Sequence, residues 1–107
     1  MKTVAPGTQP CALVVDDDDM IRMLLGETLT QAGFAVRLAE DGEQALALFA
    51  ESMPDLVLLD VDMPGLDGFA VCQRIRDRAD AAMVPVIMVT GMDDLVSINR
   101  AYESGAT

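Results

Sequence analysis

Two acidic clusters and one hydroxyl side chain stand where this sequence could do phosphoryl and metal chemistry. Asp16-Asp17-Asp18-Asp19 follows the apolar run Ala12-Leu13-Val14-Val15, Asp60 closes the run Leu56-Val57-Leu58-Leu59, and Thr90 closes the run from Val84 to Val89. Carboxylates that converge in one pocket repel each other, so the pocket either raises some of their pKa values or binds a cation. Oxygen ligands without His or Cys suit a hard ion, and magnesium binds through one or two carboxylates together with phosphate oxygens and water. A carboxylate beside such an ion is also a nucleophile toward phosphorus, giving an aspartyl-phosphate while the metal offsets the charge of both groups. Taken singly, each piece has a plainer reading. Four aspartates before a helix serve as a cap and a favourable dipole interaction, Asp60 alone is a loop acid, and Thr90-Gly91 is a strand end and a turn. Their recurrence at three separate strand ends favours the chemical reading.

The elements that must position these residues alternate between two kinds of apolar pattern. Short continuous runs at Ala12 to Val15, Phe34 to Ala39, Leu56 to Leu59 and Val84 to Val89 are apolar on both faces, as expected of strands in a parallel sheet covered on both sides. Between them the spacing predicts helices. The first runs from Met20 to Ala32 with Ile21, Leu24, Leu25 and Leu29 on one face, capped by Asp18 and ended by Gly33. The second runs from Gly42 to Ser52 with Ala45, Leu48 and Phe49, capped by Asp41; the third runs from Gly68 to Ala79 with Phe69, Cys72 and Ile75. A fourth starts at Asp93 or Asp94 and ends before Gly105. The order β-α-β-α-β-α-β-α implies right-handed crossovers and an open, doubly wound α/β sheet. In such a sheet, ligands bind at the carboxyl ends of the strands, near the switch in strand order. Topology alone then brings Asp16, Asp17, Asp60 and Thr90 together.

Composition narrows the chemistry further. At 107 residues the chain holds one domain, and with 51% hydrophobic residues but few aromatics its core is aliphatic. Eighteen acids against seven bases give a formal charge of −11, which argues against nucleic-acid binding by this domain. Histidine is absent, so histidine catalysis and histidine ligation are excluded. Cys11 and Cys72 lack metal-type spacing and read as small buried hydrophobes in a reducing compartment. Residues 1–10 read as a flexible arm without signal-peptide character, and no stretch approaches the ~20 apolar residues of a membrane span, so a soluble, cytoplasmic protein is expected.

Several segments carry a resemblance that is specific in combination. Leu13-Val14-Val15-Asp16-Asp17, Ala39-Glu40-Asp41-Gly42 through Ala45-Leu46, Leu56-Val57-Leu58-Leu59-Asp60, Met63-Pro64-Gly65-Leu66-Asp67-Gly68 and Pro85-Val86-Ile87-Met88-Val89-Thr90 resemble the signatures of response-regulator receiver domains, over about residues 12–107. The resemblance implies a flavodoxin-like fold with strand order 2-1-3-4-5. It implies a phosphoacceptor at Asp60, served by a sensor histidine kinase or phosphotransfer protein and relaying a conformational change to an output domain C-terminal to this chain. Magnesium would be held by Asp17 directly, Asp16 through water, Asp60 and the backbone carbonyl of Asp62. Thr90 matches the switch hydroxyl that bonds a phosphoryl oxygen, Gly91 leaves room for the phosphodonor, and the Met63–Gly68 loop supports the pocket from beneath.

The sequence departs from the family pattern at its C-terminal side. Receivers carry a lysine and an aromatic switch residue on a fifth strand, whereas the lysine here is Lys2 in the N-terminal arm and Tyr102 falls on the fourth helix. Residues 11–107 therefore read as a receiver domain short of its fifth strand and helix, with an apolar fourth-strand edge open to pairing in a homodimer. Three other functions compete. Asp60-Val61-Asp62 resembles the DxD of haloacid-dehalogenase-like phosphohydrolases, but that motif sits on a first strand, and here an acidic pair precedes it. An EF-hand loop fails because Pro64 takes a ligand position and Val71 stands where a glutamate is needed. A receiver that docks without being phosphorylated is disfavoured by the intact acids, while the missing lysine speaks for it.

Overall fold

The computed structural model describes residues 9–78 and 84–89. Four parallel strands, β1 (Cys11–Val15), β2 (Ala35–Ala39), β3 (Leu56–Asp60) and β4 (Val86–Val89), lie in the order β2-β1-β3-β4. Between them run α1 (Asp19–Gln31), α2 (Gly42–Glu51) and α3 (Gly68–Arg76). The expected order of the first four strands is thus observed. The fourth helix expected from Asp93 or Asp94 falls outside the described residues.

Side-chain alternation sorts the two faces of the sheet. Leu13, Val15, Val57, Leu59 and Val86 point to one face and form the core with Ala45 and Phe49 of α2 and Val71, Cys72 and Ile75 of α3. Ala12 and Val14 point to the other, in register with Val36 and Leu38 of β2, and α1 lies over them. Because both faces are covered, β1 is almost wholly buried, which is why its sequence is apolar without alternation. Phe49 is 2% exposed and has the Arg78 guanidinium 5.2 Å from its ring centroid. Phe49→Ala should cost about 3–5 kcal/mol, read as a lowered urea midpoint with an unchanged slope.

The caps follow the sequence reading. Asp18 accepts from the N–H groups of Met20 and Ile21 at 2.9 and 3.0 Å, Asp41 accepts from Gln44 at 2.7 Å, and Gly33 leaves α1 at φ 101°. Arg37 of β2 donates to the Leu48 carbonyl at 2.8 Å and to that of Ser52, placing a cation on the C-terminal carbonyls of α2.

Several boundaries shift, those of β4 and β2 for evident physical reasons. β4 starts at Val86, not Val84, because Pro85 has no N–H for the ladder, although its carbonyl still accepts from Val57 at 3.0 Å. β2 starts at Ala35 because the Phe34 N–H turns back to the Leu29 carbonyl and closes α1. α3 ends at Arg76, and the expected Ala79 terminus lies outside the described residues. The face assigned to α1 is also corrected: Ile21 and Leu24 are 43% and 54% exposed, while the sheet-facing side is centred on buried Gly26 with half-buried Leu25 and Leu29.

Candidate functional site

Register decides which acids meet. Val15 of β1 pairs with Leu59 of β3, so the next residue of each strand, Asp16 and Asp60, emerges side by side at the carboxyl edge. The Asp16 N–H still bonds the Ala39 carbonyl at 3.1 Å, extending the β1–β2 contact by one residue and fixing where the chain turns. Asp16 is 3% exposed, and its Oδ1 accepts from the Asp18 N–H at 2.9 Å. That bond folds the loop so that Asp18 can cap α1 while Asp17 stays in the open mouth of the site. Oxygens of Asp16, Asp17 and Asp60 all lie within 4.8 Å of one another.

The electrostatics are those of a strained anionic cluster. The Asp60 carboxyl is pushed up from its ordinary 3.8 to about 6, chiefly by burial. The Asp62 N–H, donating to Asp60 Oδ1 at 3.2 Å, works in the opposite direction, while Asp16 and a hydrogen-bonded, like-charged Asp17 add to the rise. A group in this state either keeps its proton or gains a cation. The donor set is all oxygen, which fits a hard divalent ion better than zinc or copper.

The structure thus brings together Asp16, Asp17 and Asp60 of the residues singled out in the sequence. Asp62 enters through its N–H, and its carboxylate is not part of the cluster. Thr90 and Gly91 lie outside the described residues. The loop after β3 is tied beneath the site: the Gly68 N–H bonds the Val61 carbonyl at 3.1 Å, and Asp67 caps α3 through the Ala70 N–H at 2.9 Å. One contact escaped the sequence reading. The Arg22 guanidinium donates to the Asp16 carbonyl at 2.7 Å and to the Asp19 carboxylate. The only signal for it was the i,i+3 spacing of Asp19 and Arg22.

Comparison with known proteins agrees with this geometry. Residues 12–107 match the family model of the response regulator receiver domain. The chain is 46% identical over 99 residues to a probable transcriptional regulator, ycf27, of Guillardia theta, covering 92% of this chain and 38% of that protein. It is 42% identical over 95 residues to the response regulator PleD of Caulobacter vibrioides, covering 89% of this chain and 21% of that one. The chain therefore spans well under half the length of these curated relatives. Among solved structures, the chemotaxis protein CheY4 of Vibrio cholerae superposes with a TM-score of 0.89 at 31% identity, over 94% of this chain and 83% of the other.

Proposed function

The chain belongs to the response regulator receiver domain family, which accepts phosphoryl groups in two-component signalling, and from that premise we propose that Asp60 is its phosphoacceptor. The observation that carries the assignment is the meeting of Asp16, Asp17 and Asp60 oxygens within 4.8 Å at the carboxyl edge of the sheet. Asp60 stands at the end of a central strand with an acidic pair on its neighbour, which is the arrangement a nucleophilic carboxylate needs. One Asp60 oxygen attacks the phosphorus of a phosphohistidine, the P–O bond forms as the P–N bond breaks, and the leaving imidazole nitrogen takes up a proton.

In this reading Asp17 and Asp60 would hold magnesium directly and Asp16 through water, with the Asp62 carbonyl as a further protein ligand. Bound there, the ion supplies charge neutralisation for the carboxylate and the transferring phosphoryl group. The chain's own contribution is orientation. The Asp62 N–H fixes one Asp60 oxygen, and burial of Asp16 holds its carboxylate toward the cluster. Thr90 and Gly91 are assigned the switch hydroxyl and the space for the donor.

Partners follow from the family: a phospho-histidine kinase or phosphotransfer protein as donor, and an output domain in the longer protein. The relatives named as transcriptional regulators support an output of that kind, with the acidic receiver itself leaving nucleic acid to the other part. No described helix is long and apolar enough to cross a membrane, and the family supports a cytoplasmic setting. A phosphohydrolase of the haloacid-dehalogenase type is disfavoured by the family match and by the Asp62 carboxylate standing outside the cluster.

Treatment with a small phosphodonor and magnesium, followed by borohydride reduction and peptide mapping, should place the label on Asp60. A label on Asp16 or Asp62 would overturn the assignment, and no label at all would favour a receiver that docks without phosphorylation.

A further inference from the structure

The four-aspartate loop holds a guanidinium that neither helix capping nor the ligand set explains. Arg22, in the first turn of α1, has a side chain only 15% exposed. Its Nη1 donates to the Asp16 carbonyl at 2.7 Å and its Nη2 to the Asp19 carboxylate, so one side chain joins both ends of the run. The Asp19 contact contributes little, because that carboxylate is 89% exposed and exposed ion pairs at this spacing are weak. The Asp16 contact is of another kind. It satisfies a part-buried backbone carbonyl of the residue whose own carboxylate, 3% exposed, folds the loop by accepting from Asp18. A planar fork can grip two acceptors at a fixed separation, which an ammonium group cannot reproduce.

We propose that Arg22 is a positioning residue: by tying the Asp16 carbonyl to the first turn of α1, it fixes the Asp16–Asp19 turn so that the carboxylates of Asp16 and Asp17 meet Asp60. The proposal rests on the reading of these carboxylates as metal ligands. Its action is through backbone geometry, as the guanidinium holds the carbonyl of Asp16 and not the clustered oxygens. Partners that orient the ligands of a metal typically change its affinity by about 10- to 100-fold when removed.

The test compares the full chain with Arg22→Gln and Arg22→Lys by amide hydrogen exchange without metal and by titration with magnesium alone. In Arg22→Gln the Asp18 amide should exchange at least about tenfold faster, with the Ala45 amide of α2 unchanged, and half-saturation should need about tenfold more magnesium. Arg22→Lys should fall between the two. Unchanged exchange at Asp18, equal acceleration at Asp18 and Ala45, or faster exchange with unchanged magnesium affinity would each overturn the proposal. Should Arg22→Gln fail to fold, Arg22→Lys decides: intermediate values support the fork, and wild-type values refute it. If the wild type takes up no magnesium, the ligand assignment falls, and Asp18 exchange then judges the role of Arg22 in the turn by itself.

Discussion

Replacing Asp60 with asparagine is expected to abolish acyl-phosphate formation and, without metal, to make the protein more stable at pH 7. The first effect follows from removing the nucleophile. The second follows from the cluster around it: the Asp60 carboxyl is held at about 6 in the folded chain against an ordinary 3.8, so folding favours its protonated form. Stability from this group is fully present below pH 3.8 and is lost as pH rises through about 6. A shift of about two units corresponds to about 3 kcal/mol, but Asp60 is only half-buried and solvent screens its neighbours. A gain of about 1–2 kcal/mol for Asp60→Asn at pH 7 is therefore expected, shrinking toward zero near pH 4. Urea titrations in chelator at the two pH values measure it directly, and an Asp60→Asn curve as pH-dependent as the wild type over this window would contradict a titrating Asp60 as the cause. Magnesium should reverse the comparison, because the wild type gains binding energy that the variant, short of one ligand, largely loses. A variant that is stabler without metal and relatively weaker with it would separate charge repulsion from misfolding as the cause.

The same residues show what a sequence of this kind reveals and what it withholds. Strands covered on both sides announce themselves as unbroken apolar runs, so β1 and β3 were legible, and with them the acids at their ends. Caps were legible too, since Asp18 and Asp41 act within three residues of themselves. The inner face of α1 was not. Met20 to Leu25 is apolar at every position but Arg22, so spacing leaves several faces open, and the choice falls to Gly26, which lets the helix lie close to Leu38 of β2. Arg22 was hidden for a different reason: its acceptor is a backbone carbonyl, which no residue type advertises. The start of β4 could have been read correctly, because Pro85 carries its reason in its own chemistry.

Gly68→Ala is expected to damage fold and site together, and the reason lies in how closely α3 approaches the end of β3. A Cβ built on Gly68 would overlap the Asp60 carbonyl oxygen and stand 2.8 Å from the Val61 Cα. Both are backbone, so no side chain can swing aside. Relief requires α3 to move outward or the Asp60–Val61 segment to shift, and the Gly68 N–H bond to the Val61 carbonyl resists the separation. Overpacking of this sort costs about 1–3 kcal/mol, and the unyielding neighbours put Gly68→Ala at the upper end. Because the displaced segment carries Asp60 itself, the magnesium requirement should rise as well. Gly65→Ala provides the control: it has φ 74° with nothing within 4 Å of the added carbon, so it should cost about 1 kcal/mol from the left-handed backbone alone. Urea midpoints and magnesium half-saturation measured on both variants test the argument. A Gly68→Ala protein with wild-type stability and magnesium affinity would show that β3 and α3 can separate without cost. Equal losses in the two variants would point to loop conformation in general and not to the contact beneath Asp60.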